Sequence, residues 1–248
     1  PVIEDKNGHL VLKEDFARGS HSGTSSWNLA VPDNTTLNVN SGSGNLTLEG
    51  VKTNVKSNLG SGDVEISSVT GKLDFNTGSG NFRLEDSNGD LVFNTGSGRI
   101  TARGGTGTFH FNAGSGDITL EQMKGRFDVN SGSGDVEAEN ITLAGSAKFN
   151  SGSGDANVEL SGSLDHNISI NSGSGDATLN LKGTPIEGEV IMTANERNGE
   201  IVAPFKFDKE EIVDDDDSSP RQRKTAKLGN KNIVVKIGTG SGVAKIAR

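Results

Sequence analysis

Asn112-Ala113-Gly114-Ser115-Gly116-Asp117-Ile118-Thr119-Leu120 is answered 18 residues later by Asn130-Ser131-Gly132-Ser133-Gly134-Asp135-Val136-Glu137-Ala138. The register extends in both directions. Gly-Ser-Gly begins at Gly42, Gly60, Gly78, Gly96, Gly114 and Gly132, then at Gly152 and Gly173 after steps of 20 and 21, and once more at Gly240. An Asn stands two residues before each of the first eight: Asn40, Asn58, Asn76, Asn94, Asn112, Asn130, Asn150 and Asn171. A fixed period of this length is the signature of stacked structural repeats, so it is read before any local propensity.

Inside each unit apolar and polar residues alternate, the mark of a half-buried strand. Val64 and Ile66 oppose Asp63 and Glu65; after Gly71, Leu73 and Phe75 oppose Lys72 and Asp74. The columns persist from unit to unit. Leu46, Val64, Phe82, Ile100, Ile118 and Val136 share one position, Leu48, Ile66, Leu84, Ala102, Leu120 and Ala138 another, and Phe75, Phe93, Phe111 and Phe149 a third, with Val129 replacing the ring once. Glycine at this density destabilises helices, and nothing recurs at 3.6 residues. A meander of hairpins would not need the same residue in the same column of every unit, whereas stacked coils do. The fold class is therefore all-β: a single-stranded parallel β-helix, or β-solenoid, with about 18 residues and two short strands per coil. The general preference of parallel crossovers makes it right-handed. About ten coils at about 4.8 Å would make a rod roughly 45–50 Å long.

The composition fits that frame. The chain has 248 residues, of which 35 are Gly and none is Cys, and 31% are hydrophobic. A thin core must be filled by a few repeated inward columns. The absence of Cys excludes disulfides, thiolate metal sites and a thiol nucleophile, and no apolar run reaches the roughly 18 residues of a membrane helix. Asn-x-Gly-Ser-Gly reads as turn chemistry, with Gly supplying positive φ and an inward column of Asn amides bonding from coil to coil. The rival reading, a phosphate-cradling loop, needs a helix N-terminus that does not follow.

Residues 1–36 lack the motif and carry Phe16, Trp27, Leu29 and Val31, the reading being an N-terminal cap. Coils then run over 37–207, ending in a diverged turn at Asn195-Glu196-Arg197-Asn198-Gly199. Residues 208–229 read as a mobile charged insertion, and 230–248 as the final coil closing the stack, all within one domain. The net charge of −9 is unevenly spread. Residues 208–217, including Asp214 to Asp217, hold one Lys against seven acids, a net −6; residues 218–248 hold eight Lys and Arg and no acid, +8, which leaves −11 on the first 207 residues. An acidic body argues against nucleic acid, which needs a basic stripe. The basic end reads as neutralising its acidic neighbours.

The series Asn-x-Gly-Ser-Gly-Asp followed by alternating apolar residues, as at Asn112 to Leu120 and Asn130 to Ala138, resembles a family of bacterial adhesin domains, exported β-solenoids built on Gly-Ser-Gly-Asp repeats. The resemblance covers roughly residues 31–248. It implies an extracytoplasmic or cell-surface setting, a non-enzymatic role, and an unidentified surface protein or glycan as partner. Arg99 and Val243 depart from the pattern at the Asp position, and the sequence opens at Pro1 without a signal peptide or lipobox Cys, as a trimmed chain would.

Candidate chemistry is sparse, and no cofactor is called for. Asp117, Asp135, Asp155 and Asp176 stand one coil apart and are the candidates for Ca²⁺, a hard cation that takes carboxylate oxygens. Against a calcium β-roll, only one turn per coil is Gly-rich, and an Asp that caps its own turn explains the column without metal. Charges interrupt the column Thr47, Glu65, Arg83, Thr101, Thr119 and Glu137, which counts against an ice-binding face. A carbohydrate-active β-helix enzyme would use a cluster on one face, and Arg83, Arg99, Thr101 and Arg103, with Glu85 and Glu121, are the ligand-contact candidates. Solvated charges of this kind more often only pair with each other. His9, His21, His110 and His166 share no metal-ligand spacing. The remaining alternative is a structural spacer that binds nothing along its faces.

Overall fold

The computed structural model describes residues 2–6, 9–13, 25–213 and 220–247. The chain divides into two units, Pro1–Val31 and Pro32–Arg248. In the first, β1 (Val2–Lys6) and β2 (His9–Lys13) pair antiparallel, and Trp27 and Leu29 are 38% and 53% exposed. Phe16, read above as part of a cap, and His21 lie outside the described residues.

The second unit is a parallel β-solenoid whose coils each give one strand to each of two ladders. In chain order these are β3 (Thr35–Ser41) and β4 (Leu46–Glu49), β5 (Thr53–Leu59) and β6 (Val64–Ser67), β7 (Thr70–Thr77) and β8 (Phe82–Glu85), β9 (Asn88–Thr95) and β10 (Ile100–Arg103), and β11 (Thr106–Ala113) and β12 (Ile118–Glu121). Then come β13 (Lys124–Ser131), β14 (Val136–Ser151), β15 (Ala156–Leu160), β16 (Ile168–Ser172) and β17 (Ala177–Asn180). β3, β5, β7, β9, β11, β13, the second half of β14 and β16 form the first ladder; β4, β6, β8, β10, β12, the first half of β14, β15 and β17 form the second. Pairing joins like positions of neighbouring coils, Phe75 to Phe93 and Phe93 to Phe111, so the sequence columns become physical stacks.

The core is those stacks. Phe75, Phe93, Phe111, Phe149, Leu73, Leu91, Phe109 and Phe127 are buried. The rings of Phe93 and Phe111 stack at 5.1 Å, those of Phe109 and Phe127 at 5.3 Å, and Phe82 of the opposite ladder stacks on Phe93 at 4.8 Å. Each ring contributes about 1.5–3 kcal/mol by leaving water, plus about 0.5–1.5 kcal/mol per favourable ring pair.

The Gly-Ser-Gly turns use glycine for a different reason from the one expected. None of these glycines has positive φ. A Cβ at Gly62 would overlap the carbonyl oxygen of Gly44, and one at Gly98 that of Gly80, so from the second coil onward these glycines are what lets one turn sit directly on the last. Positive φ is used instead at the corner after each second-ladder strand, by Gly50, Ser68, Asp86, Gly104, Gln122 and Asn140, a column in the same 18-residue step.

The Asn column is likewise reversed. In β7 the burial runs Phe75 in, Asn76 out, Thr77 in, and this order repeats in β9, β11 and β13. The amides line the outside of the sheet. Inside, Thr77, Thr95, Ser131, Ser151 and Ser172 take over the turn chemistry: each hydroxyl donates to a glycine carbonyl of the preceding turn, Thr95 Oγ1 to Gly80 O at 3.0 Å for example.

The end of the chain departs furthest from sequence order. β18 (Gly188–Asn195) and β19 (Glu200–Val202) follow β17 in sequence, but they do not stack on it. Residues 208–229, expected to be a mobile insertion, supply β20 (Lys209–Val213) and β21 (Arg221–Leu228), with β21 antiparallel to both β18 and β20; Asp214 to Asp217 lie outside the described residues. The last coil, β22 (Val234–Thr239) and β23 (Val243–Ala247), is not terminal. It lies between coils that are consecutive in sequence, β22 between β16 and β18 and β23 between β17 and β19, all parallel. The cause is turn matching. Gly240 seats its backbone where a Cβ would overlap the carbonyl oxygen of Gly173. The diverged turn at 195–199 instead closes on itself, Asn195 Oδ1 accepting the amides of Arg197 at 2.9 Å and Asn198 at 3.0 Å, and so suits the outer position. Beyond it Ile201, Ala203, Phe205 and Phe207 pack partly buried against the core.

Candidate functional site

The four aspartates read as calcium candidates belong to a continuous backbone ladder. Asp117 Oδ1 accepts the amide of Asp135 at 3.2 Å, Asp135 that of Asp155 at 2.8 Å, Asp155 that of Asp176 at 2.8 Å, and Asp176 that of Val243 at 2.8 Å. Asn45, Asp63 and Asn81 do the same for the coils after them. The carboxylate caps the next coil's amide rather than its own turn. The two departures from Asp then have a reason. Arg99 donates its backbone amide to Asn81 and cannot accept from Asp117, so its guanidinium pairs with the Asp117 carboxylate at 3.1 Å. Val243 is followed spatially by Glu200, whose amide bonds Gly242 O instead. Among the described residues no group of three or more His, Asp and Glu is arranged to hold a metal ion.

Arg83, Arg99, Thr101 and Arg103 are brought onto one outward patch of the second ladder, where Arg83 lies beside Thr101 and Arg103 between Glu85 and Glu121. The guanidinium of Arg83 reaches Glu85 at 2.6 Å and that of Arg103 reaches Glu121 at 3.6 Å. These are exposed pairs, worth about 0–1 kcal/mol each, and every arginine of the patch already has a carboxylate.

The first ladder carries a different surface. Seven amide–amide hydrogen bonds run along its outside, Asn58 Nδ2 to Asn40 Oδ1 at 3.2 Å and then coil by coil to Asn171 Nδ2 on Asn150 Oδ1 at 2.9 Å, those at Asn94 and Asn112 measuring 2.9 and 2.8 Å. The row forms one wall of an open furrow of roughly 640 Å³ that spans the coils from Asn58 to Gly132, with the Gly-Ser-Gly turns as the other wall. Each Nδ2 carries two hydrogens. The second is taken by the residue two positions back where that residue accepts, Asp74 for Asn76 at 3.4 Å, Asp128 for Asn130 at 3.1 Å and Ser169 for Asn171 at 3.0 Å. Asn58, Asn94, Asn112 and Asn150 make no such second bond, the residues two positions back being Lys56, Val92, His110 and Lys148. His110 Nδ1 lies 3.7 Å from Asp128 Oδ2.

One further polar cluster joins three loops. Lys231 Nζ lies 2.7 Å from Asp165 and 3.3 Å from Glu187. Its hydrogen bond to Asp165 raises its pKa above the ordinary lysine value, with Glu187 assisting, and the same bond, with one from Ser163 Oγ, holds the Asp165 carboxyl below the usual carboxylate range. Nothing in sequence order hints at this clamp, because the three residues meet only when the final coil intercalates.

A two-ladder parallel solenoid with stacked glycine turns, an inward Phe column and outward rows of Asn and Asp defines a repeat scaffold with functional groups on its faces. A profile of the Toastrack DUF4097 family, a β-solenoid-type domain of unknown function, matches residues 18–113 and, overlapping them, 88–201. The chain belongs to the Toastrack DUF4097 family. Comparison with the curated proteins and with the solved structures found no match.

Proposed function

We propose that the chain is a non-enzymatic binding scaffold of adhesin type, working outside the cytoplasm, whose asparagine furrow receives an extended, neutral polymer rich in hydrogen-bond acceptors, a glycan chain above all. The observation that carries this reading is the row of outward Asn amides along the furrow, in which Asn94 and Asn112, one coil apart at its middle, each keep a second amide hydrogen that no side chain takes up. Their spacing of about 4.8 Å matches successive groups of an extended chain, and many weak contacts along a rigid row add through effective concentration. Neutrality follows from the surroundings. The column beside the row reads Lys56, Asp74, Val92, His110, Asp128 and Lys148, two lysines against two aspartates, and the first 207 residues carry −11, so an anionic ligand gains no local attraction and meets repulsion from the body. The export setting rests on the resemblance to exported adhesin domains.

The test is a binding screen on immobilised neutral β-linked polysaccharides and N-acetylglucosamine oligomers. The wild type should bind at least one, the Asn94→Ala/Asn112→Ala variant should lose at least tenfold, and Arg83→Ala/Arg103→Ala should bind as the wild type does. Absence of wild-type binding, or equal loss in both variants at unchanged melting temperature, would overturn the reading.

A further inference from the structure

Independently of any ligand, the position of β22 and β23 has a consequence for association. The apolar and turn contacts of the final coil are of the kind the other coils make with their neighbours. Val235 stacks between Ile168 and Val190, and Ile237 between Ile170 and Met192. Thr239 Oγ1 donates to Gly175 O at 2.7 Å, and Asp176 Oδ1 accepts the amide of Val243. Asn167 Oδ1 accepts the amide of Val234 at 2.8 Å. The slot recognises this segment by sequence register and not by its covalent connection.

Charge makes the fit specific. Residues 230–247 hold Lys231, Lys236 and Lys245 and no acid, while the coils on either side carry Asp165, Asp176, Glu187, Glu189 and Glu200. A basic coil thus separates two acidic ones that follow one another in sequence. Glycines with positive φ border the slot on both sides. The loop from β17 to β18 has Gly183 at φ +85° and Gly188 at φ +131°, and Gly229 at φ +62° precedes the final coil.

We propose that residues 230–247 are an exchangeable coil through which two copies of this chain pair, each seating its final coil in the slot of the other. The occupant is the same segment of a second copy, because only that segment carries the Gly-Ser-Gly turn, the Val235 and Ile237 columns and the three lysines together. Association of this kind creates no new interface type; it satisfies the same contacts between chains instead of within one.

The experiment uses the full chain in two preparations with different affinity tags, mixed and held below the melting temperature. The expected result is a dimer carrying both tags, together with amide hydrogen exchange in β22 and β23 at least tenfold faster than in β11 and β12. The chain has no native Cys, so Thr178→Cys/Lys245→Cys, two residues that face each other across β17 and β23, can lock the coil in place. The oxidised variant should form at least tenfold less mixed dimer, and reduction should restore it, which separates locking from misfolding. A mixture that yields no doubly tagged dimer, or β22 and β23 amides that exchange only with global unfolding, would overturn the proposal.

Discussion

At the scale of single residues, glycine is the clearest case of one identity serving two purposes. Gly62 sits under the carbonyl oxygen of Gly44, whereas Gly42, in the same motif on the first coil, has open space where its Cβ would be. Neither needs positive φ, so a conformational argument would treat them alike. The stacking argument separates them. Gly62→Ala should cost at least about 1–3 kcal/mol, as overpacking against backbone that cannot move aside, while Gly42→Ala should stay within about 0.5 kcal/mol. Chemical denaturation of the two variants decides between the accounts. The motif was legible in the sequence but its cause was not, because Asn-x-Gly-Ser-Gly is equally good turn chemistry by propensity. The same blindness put the Asn amides inside. Alternation fixes which residues share a face, and turn propensity alone assigned the Asn to the wrong one.

At the scale of elements, the columns carried almost all of the fold. Apart from Leu46 on the first coil, which is partly buried, the apolar positions assigned to inward columns, Phe93 and its stack among them, are buried as the alternation required. Phe93→Ala should therefore cost about 3–5 kcal/mol through the cavity left between Phe75, Phe82 and Phe111, and outward Thr101→Ala should leave the unfolding midpoint unchanged within about 0.5 kcal/mol. An unaltered midpoint for Phe93→Ala would contradict the stacked rings. Which coil lies on which was not legible beyond β17, since neighbourhood follows turn matching there and sequence order does not. The clamp around Lys231 is a product of that placement and gives it a pH signature. The Asp165 carboxyl is held low, chiefly by its hydrogen bond to Lys231, so its contribution is complete above the ordinary carboxylate range and is lost as pH falls through the lowered folded-state value. The raised pKa of Lys231 acts in the opposite direction: its contribution is complete below the ordinary lysine range and is lost as pH rises through the raised value. Protection of the β22 amides, taken relative to their intrinsic exchange rate at each pH, should accordingly fall at both extremes in the wild type, and the acid-side fall should shrink in Asp165→Asn. A profile identical in both proteins would show that the clamp does not hold the coil.

At the scale of the whole molecule, the net charge of −9 conceals two opposing responses to salt. The first 207 residues carry −11, and self-repulsion among like charges on stacked coils weakens the compact state. The final coil is held the other way, by attraction of Lys231 to Asp165 and Glu187 across coil boundaries. Raising ionic strength from about 0.01 M to about 1 M shortens the screening length from roughly 30 Å to roughly 3 Å, which relieves the repulsion and weakens the attraction together. Global unfolding should move to a slightly higher temperature while the amides of β22 and β23 exchange faster. No uniform stabilisation or destabilisation can produce that pair of results, because the two readouts move in opposite directions only if the acidic body and the basic coil are electrostatically distinct parts of one stack. If protection in β22 and β23 instead rises in step with the melting temperature, the basic coil is held by register alone, and the charge asymmetry has no part in placing it between its acidic neighbours.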